Sequence, residues 1–521
     1  MKTIQKIKLF NFKRFSEFEV EFTEDLNVLI GDNEAGKSTL LTAIELVISG
    51  SRNKVDAIGL ESIFNKNITN QFLAGDKSVA NLPVVIVELY LSEQHNPDIH
   101  GKNNSDGTAS DGLRLTCEPN EDLLAEMQQV LAQDSDNFPY EYYSVKFTTF
   151  AGESYTGYRK FIKHLSLDSS QINSEYATRE YIKTVYESVL EHPERINLRN
   201  LYRQQKSDFK DEHLKGVNDR LNDYQFAIRS NSRANLETDV IITEDDVPLE
   251  NRGKGRQCFI KTEFALKRYG VELDIDTLLL EEPENHLSHT NMKKLVTRIA
   301  ESQAKQIFIA THSNLITSRL DLRKSILLNS TSQRPVLLKD LPADTAKFFM
   351  KAPDNNILEF ILSSKVILVE GDAEYILIDA IYSNVTGSSL EADDVHVISV
   401  GGTSFKRYLD LAMLLNIKTA VIRDNDGDAQ VNCIENYADY TADNIKIFFD
   451  TNNSNSTFEI CFYELNTAVC EELFAPGRRT LSVQDYMLKN KADCAYELLD
   501  KKSEQIQSPE YITEALQWIR E

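Results

Sequence analysis

A short apolar run, LNVLIG at 26–31, leads straight into GDNEAGKS at 31–38. STLLTAIELVISG follows, with its apolar residues at helical spacing. Strand, glycine loop and helix in immediate succession match the phosphate-binding pattern Gly-x4-Gly-Lys-Ser. Its glycines let consecutive backbone N–H groups curl around phosphate oxygens, and the helix points its positive end at the anion. Lys37 is expected on the β- and γ-phosphates of a nucleoside triphosphate, and Ser38 on its magnesium ion. Asn33, Gly36 and Thr39 complete the expected phosphate cradle. Such a loop sits at the carboxyl edge of a parallel sheet, so the chain reads as α/β.

Two later runs supply what a triphosphate site needs. In LLLEEPENHL at 278–287 a core strand ends in two acids. Glu281 is expected to hold magnesium through water, and Glu282 to orient or activate the attacking water. QIFIATHS at 306–313 is another strand, ending in His312 where a γ-phosphate sensor would stand. Each motif alone has a bland reading, a solvated acidic turn or a structural histidine. The order loop, acids, histidine is what carries the argument.

A second β-α-β series begins at Lys365: KVILVE, VHVISVGG and KTAVIRD, separated by helical stretches. Glu370 closes its first strand and Glu374 follows on the first turn of a helix. Asp424 and Asp426 follow the strand KTAVIR at spacing two, so both can face one side. Clustered carboxylates on one sheet edge repel unless cations sit among them, and hard oxygen donors favour magnesium or manganese. Two such ions would stabilise the attacking and leaving oxygens of a phosphodiester. Asp424, Asp426, Asp428 and Glu435 also fall on EF-hand spacing. Ala429 stands at the glycine position there, and a β-branched strand precedes instead of a helix, which argues against that loop.

Charge and composition narrow the class. A chain of 521 residues has room for several domains. Its net charge of -24 excludes a generally basic nucleic-acid coat, though not a local basic groove. No run reaches the roughly 18 apolar residues of a membrane span, and the start MKTIQKIKLFNFKRF lacks a signal-peptide core. Six cysteines without a CxxC pair read as reduced thiols, giving a cytoplasmic expectation.

The glycine loop, EEPE and ATHS, in this order, resemble the ABC-type ATPases of the Rad50/SMC/RecF group. That resemblance implies dimers in which a partner's signature loop completes the ATP site. The best candidate for that loop is NRGKGRQ at 251–257, where Gly253 or Lys254 stands in the place of the usual serine. The interval from Lys37 to Glu281 shows no sustained heptads, which excludes a long coiled coil. Strand-Glu370-Gly371 followed by strand-Asp424-x-Asp426 resembles a Toprim domain. The combination is similar to the OLD (overcoming lysogenization defect) family, an ABC-type ATPase fused to a Toprim nuclease. This resemblance implies a two-metal nuclease with a dimerising helical insertion and further ligands after the DxD. STFE at 456–459 then offers Glu459 as a ligand with Thr457 nearby, and Lys491 is the candidate for neutralising charge on the phosphorane. GGTS at 401–404 resembles the turn after the second Toprim strand.

The expected organisation is an ATPase part at 1–164 and a polar helical insertion at 165–238. A second ATPase part spans 239–343, a helical connector 344–362 and a Toprim domain 363–521. The implied function is an ATP-regulated, metal-dependent DNA endonuclease, in bacterial antiphage defence or DNA processing. ATP with one magnesium and two Toprim ions are the implied cofactors. The implied partners are DNA, a second copy of the chain or more, and a helicase or reverse-transcriptase-associated protein. The alternatives are a Toprim ribonuclease and a non-cleaving ABC-type DNA sensor or clamp. A topoisomerase would need a strand-attacking tyrosine in an additional domain.

Overall fold

The computed structural model describes residues 2–521 except 133–136, 170–174, 222–223, 230–235, 267–274, 302–304, 331, 353–355, 403 and 477–479. The chain divides into two compact units. One comprises 1–316 with 324–335, and the other 317–323 with 336–521.

The first unit holds an antiparallel and a parallel sheet. Ile4–Phe12, Phe15–Glu21, Val85–Leu91, Ser110–Pro119 and Tyr143–Thr149 form the antiparallel one. Ile4–Phe12 buries Ile7 and Leu9 while Gln5 faces solvent, the alternation of a strand covered on one face. The parallel sheet runs Ser325–Leu328, Leu26–Gly31, Gln306–Ala310, Thr277–Glu281, His164–Asp168 in spatial order. Leu26–Gly31, Thr277–Glu281 and Gln306–Ala310 are buried almost throughout, as befits strands covered on both faces. The helix Lys37–Ser49 buries Leu40, Leu41, Ile44, Val47 and Ile48, and ends at Gly50, whose N–H returns to the Leu46 carbonyl.

The expected insertion boundary at 165 falls inside the strand His164–Asp168, which pairs with Thr277–Glu281 as part of the ATPase sheet. A five-residue apolar-polar run gave too little pattern to separate strand from helix. The insertion itself is helical: Glu175–Val189 and the 22-residue helix His192–His213.

The second unit is built on a parallel sheet in spatial order Val395–Ser399, Lys365–Val369, Lys418–Ile422, Ile445–Phe448. Its core joins these strands to the helices Asp372–Thr386, Phe458–Leu465, Lys491–Lys502 and Glu510–Arg520. The expected connector at 344–362 holds the helix Ile357–Leu362 and all but the first residue of the helix Ala343–Lys351. All six cysteines are buried, and none of them is in a disulfide.

Candidate functional site

Two sites form, one in each unit, each at the carboxyl edge of a parallel sheet. In the first unit the register sets the geometry. Glu281 stands opposite Ala310 on one side and Asp168 on the other, and Ala310 stands opposite Leu29 in the strand that feeds the glycine loop. Loop, acids and His312 therefore open onto one crevice. Gly36 has φ of 101°, and a Cβ there would lie 2.5 Å from the Phe15 ring, so only glycine fits. Lys37 is buried, and its Nζ donates to the carbonyls of Gly31 (2.7 Å) and Asp32 (2.9 Å). Burial lowers its pKa to about 8, against the pull of Glu282, Asp32, Glu284 and Glu281.

The acids divide their work. Burial raises the Glu281 pKa and Asp168 and Glu282 add to it, while a hydrogen bond with Ser38 opposes. Ser38 and Glu281, both expected at the magnesium ion, are thus in contact. Glu282 has φ of 45°; its N–H donates to the Ala310 carbonyl, and its side chain accepts from Asn285 Nδ2 at 2.6 Å. His312 Nε2 lies 3.9 Å from Glu282 Oε1. Burial and Lys37 keep the imidazole below its usual range. Asn33 and Ser38 are exposed and Thr39 half-buried on the open side of the loop.

Sequence reasoning missed three groups here. Glu284 accepts from Thr311 Oγ1 (2.6 Å) and from the His312 N–H (2.9 Å), fixing the histidine turn from the far end of EEPE. Its signal was the fourth letter of that motif. Asp168 ends the neighbouring strand. Arg14 ties the loop to its surroundings, donating to the carbonyls of Glu34, Asn329 (3.1 Å) and Ser330 (2.8 Å). A cavity of about 530 Å³ opens beside it, lined by Lys13, Arg14, Glu34, Glu61, Lys66 and Gln333 among others. In the candidate signature loop Gly253 precedes the helix Lys254–Leu266 and Lys254 opens it. A Cβ at Gly255 would lie 2.2 Å from the His286 carbonyl, so this glycine seats the helix on the turn after EEPE.

In the second unit Glu370 follows the strand Lys365–Val369, and Arg423 and Asp424 follow its neighbour Lys418–Ile422. Glu374, on the first turn of Asp372–Thr386, is buried with its Oε2 over Gly371. Asp424 Oδ1 accepts from the Phe458 N–H at 2.8 Å, which brings the helix of Glu459 to the same edge. Glu459 is 3% exposed and pairs with Lys491 at 2.9 Å. Burial raises Asp424 to about 8, with Glu374, Glu370 and Glu459 adding and Lys491 opposing. Burial likewise raises Glu374 to about 7, with Glu459 and Glu370 adding.

The two aspartates do not face one side. Asp426 has φ of 50°, because the chain leaves the extended conformation after Ile422, and it pairs with Arg423 Nη2 at 2.7 Å. The other arm of Arg423 bonds Glu370. Arg423 had no sequence signal, since an arginine before DxD reads as surface. Asn425, between the aspartates, is buried and donates to the carbonyls of Asp450, Asn452 and Asn455. Gly402 donates its N–H to the Glu370 carbonyl at 3.1 Å, while Thr403 of the same turn lies outside the described residues.

The residues fit a hard cation. Glu459 Oε1 and the Thr457 hydroxyl are buried without a hydrogen-bond partner, and burial, with repulsion from neighbouring carboxylates, disfavours the charged forms of Glu374 and Asp424 beside them. Among the described residues no three His, Cys, Asp or Glu side chains already stand close enough together to hold an ion.

The comparisons bear on both halves. Residues 1–317 match the AAA ATPase domain family, and residues 361–426 match the Toprim domain of overcoming lysogenization defect protein-like proteins. The chain belongs to the AAA ATPase domain family and carries an OLD-like Toprim domain. A DNA double-strand break repair Rad50 ATPase of Methanopyrus kandleri is 47% identical over 45 residues, 9% of this chain and 5% of that protein. The chain thus spans a small part of that relative's length. An Smc head bound to the C-winged helix domain of ScpA aligns at 15% identity over 63% of this chain and 93% of that one, with a TM-score of 0.34. The C-terminal region of the Xanthomonas campestris OLD protein aligns at 24% identity over 30% of this chain and 95% of that one, TM-score 0.25. That of Burkholderia pseudomallei aligns at 20% identity over 30% and 97%, TM-score 0.23. The two family matches support an ATP-hydrolysing enzyme of nuclease type. Among the described residues no helix is long and apolar enough to cross a membrane.

Proposed function

We propose that this chain is an ATP-regulated, divalent-metal-dependent DNA endonuclease of the OLD family. The observation that carries the reading is the meeting of Glu374, Asp424 and Glu459 with Lys491 at the carboxyl edge of the Toprim sheet. Buried carboxylates that raise one another's pKa are a poor structural device and a good cation trap. When bound, magnesium or manganese supplies Lewis acidity toward the scissile phosphate and activates water. Glu374, Asp424 and Glu459 hold the cation. Lys491, already charged and beside Glu459, offsets charge that develops on the phosphorane. In the ATPase unit Lys37 binds the terminal phosphates, Ser38 and Glu281 hold magnesium, Glu282 orients water, and His312 reads the γ-phosphate. The chain acts as a homodimer through its helical insertion, and serves antiphage defence or DNA processing. The Rad50 relative is named for DNA double-strand break repair, which favours DNA over RNA as the substrate.

The test is cleavage of plasmid DNA and of RNA by the full chain with magnesium or manganese, with and without ATP. Asp424→Ala and Glu374→Ala should abolish DNA cleavage and leave ATP binding intact. Lys37→Ala should lose ATP binding and keep the Toprim unit folded. Cleavage that survives in both acidic variants sinks the metal assignment. Cutting of RNA alone moves the reading to a ribonuclease, and no cutting of either moves it to a sensor. The ATP lanes give the sign of regulation.

A further inference from the structure

We propose that Arg423 takes the place of one of the two cations expected at the Toprim site, so that the site holds a single divalent ion at Glu374, Asp424 and Glu459. This rests on the metal-dependent reading above. The five carboxylates of the edge fall into two groups with different partners. Glu370 and Asp426 are both bonded by the one guanidinium of Arg423, through Nη1 and Nη2. Glu374, Asp424 and Glu459 share Lys491, which reaches Glu459 Oε2, while the buried Glu459 Oε1 lacks a hydrogen bond. The guanidinium bonds both carboxylates of the first pair and leaves them one net negative charge, whereas the second group carries three carboxylates against the single charge of Lys491.

Arg423 is built in, not draped over the site. Its N–H donates to the Phe448 carbonyl at 3.0 Å, continuing the sheet ladder beyond Ile422. Its side chain is 5% exposed, and the guanidinium lies 5.8 Å from the Phe405 ring centroid. Tyr437, also buried, interacts with it electrostatically. A guanidinium stays charged at any working pH, and its planar fork suits two carboxylates at once. For a metal ion to take Glu370 and Asp426, this buried charge would have to lose both partners without reaching water, which is strongly unfavourable. The positive φ of Asp426 turns that carboxylate toward Arg423 and away from the spacing that would put both aspartates on one ion.

Manganese counting on the nucleotide-free full chain tests this, with free Mn2+ read by electron paramagnetic resonance. Wild type should bind one ion per chain that Asp424→Asn removes. Arg423→Gln should bind a second, about tenfold or more tighter than any second ion in wild type. Adding Glu370→Gln to that variant should remove the second ion. Arg423→Lys, which keeps the charge, should stay at one. Two Asp424-dependent ions in wild type would overturn the proposal without any arginine variant, so misfolding of Arg423→Gln cannot shelter it. So would an Arg423→Gln count equal to or below wild type. Absence of Mn2+ from both wild type and Arg423→Gln would remove the metal reading itself, and the proposal with it.

Discussion

Lys37 is an ammonium held by its own loop's carbonyls and buried enough to bring its pKa down to about 8. A triphosphate favours the charged form, so the pKa of the bound state is higher than that of the free state. Below about pH 8 the group is already protonated, and ATP affinity does not depend on it. Above that, binding must take up a proton, and affinity falls by up to about tenfold per pH unit until the bound-state pKa is passed. Calorimetry at about pH 7 and about pH 9.5, in buffers of different ionisation enthalpy, should show weaker binding with proton uptake at the higher pH. An unchanged Kd and no proton uptake would contradict it. At this scale the sequence spoke where an apolar run ends in a polar group: Glu281 closes its strand, and Glu282 and His312 stand just after theirs. It was silent where a residue acts across a long chain interval. Arg14 reaches Ser330 and Arg423 reaches Glu370 through side-chain bonds that no local pattern encodes.

Strands of both units were legible because buried parallel strands read as uninterrupted apolar runs, as in KVILV and LLLE. Turns were not, because their conformation depends on distant partners. The segment after Ile422 shows why. Spacing alone suggested that Asp424 and Asp426 align, yet Asn425 anchors the turn on another loop. Its Nδ2 donates to Asp450 (2.7 Å), Asn452 (3.0 Å) and Asn455 (3.3 Å) carbonyls, and its Oδ1 accepts from the Gly427 N–H at 2.9 Å. That loop leads to Phe458, whose N–H fixes Asp424. Asn425→Ala should therefore cost about 3 kcal/mol, since a buried amide loses several part-buried bonds at once. Scanning calorimetry of the full chain should show the Toprim transition lowered by roughly 6–12 °C, while the ATP-induced shift of the ATPase transition is kept. A change under about 0.5 kcal/mol would mean that the loop is held by other contacts.

The whole chain leaves one long element unexplained by its own contacts. The helix His192–His213 buries no side chain, although it carries Leu198, Leu201 and Phe209, exposed at 37%, 46% and 48%. At 3.6 residues per turn these three fall within one stripe, the pattern of a helix that packs on something. A 22-residue helix with a mostly polar remainder gains little from its own propensity, and tertiary or quaternary packing must stabilise it. A second copy is the occupant that the proposed homodimer supplies, because the same stripe can meet itself across a twofold axis. Light scattering of the full chain should give a dimer mass, and Leu201→Glu with Phe209→Glu should shift it to monomer. Burying two unpaired carboxylates at such an interface costs several kcal/mol, enough to weaken association by about a thousandfold or more. ATP binding should survive in the variant while hydrolysis per chain falls about tenfold or more, since a partner's signature loop is withdrawn. A wild-type chain that is monomeric with full ATPase activity, or a variant that stays dimeric, would place the interface elsewhere and leave this stripe for a different partner.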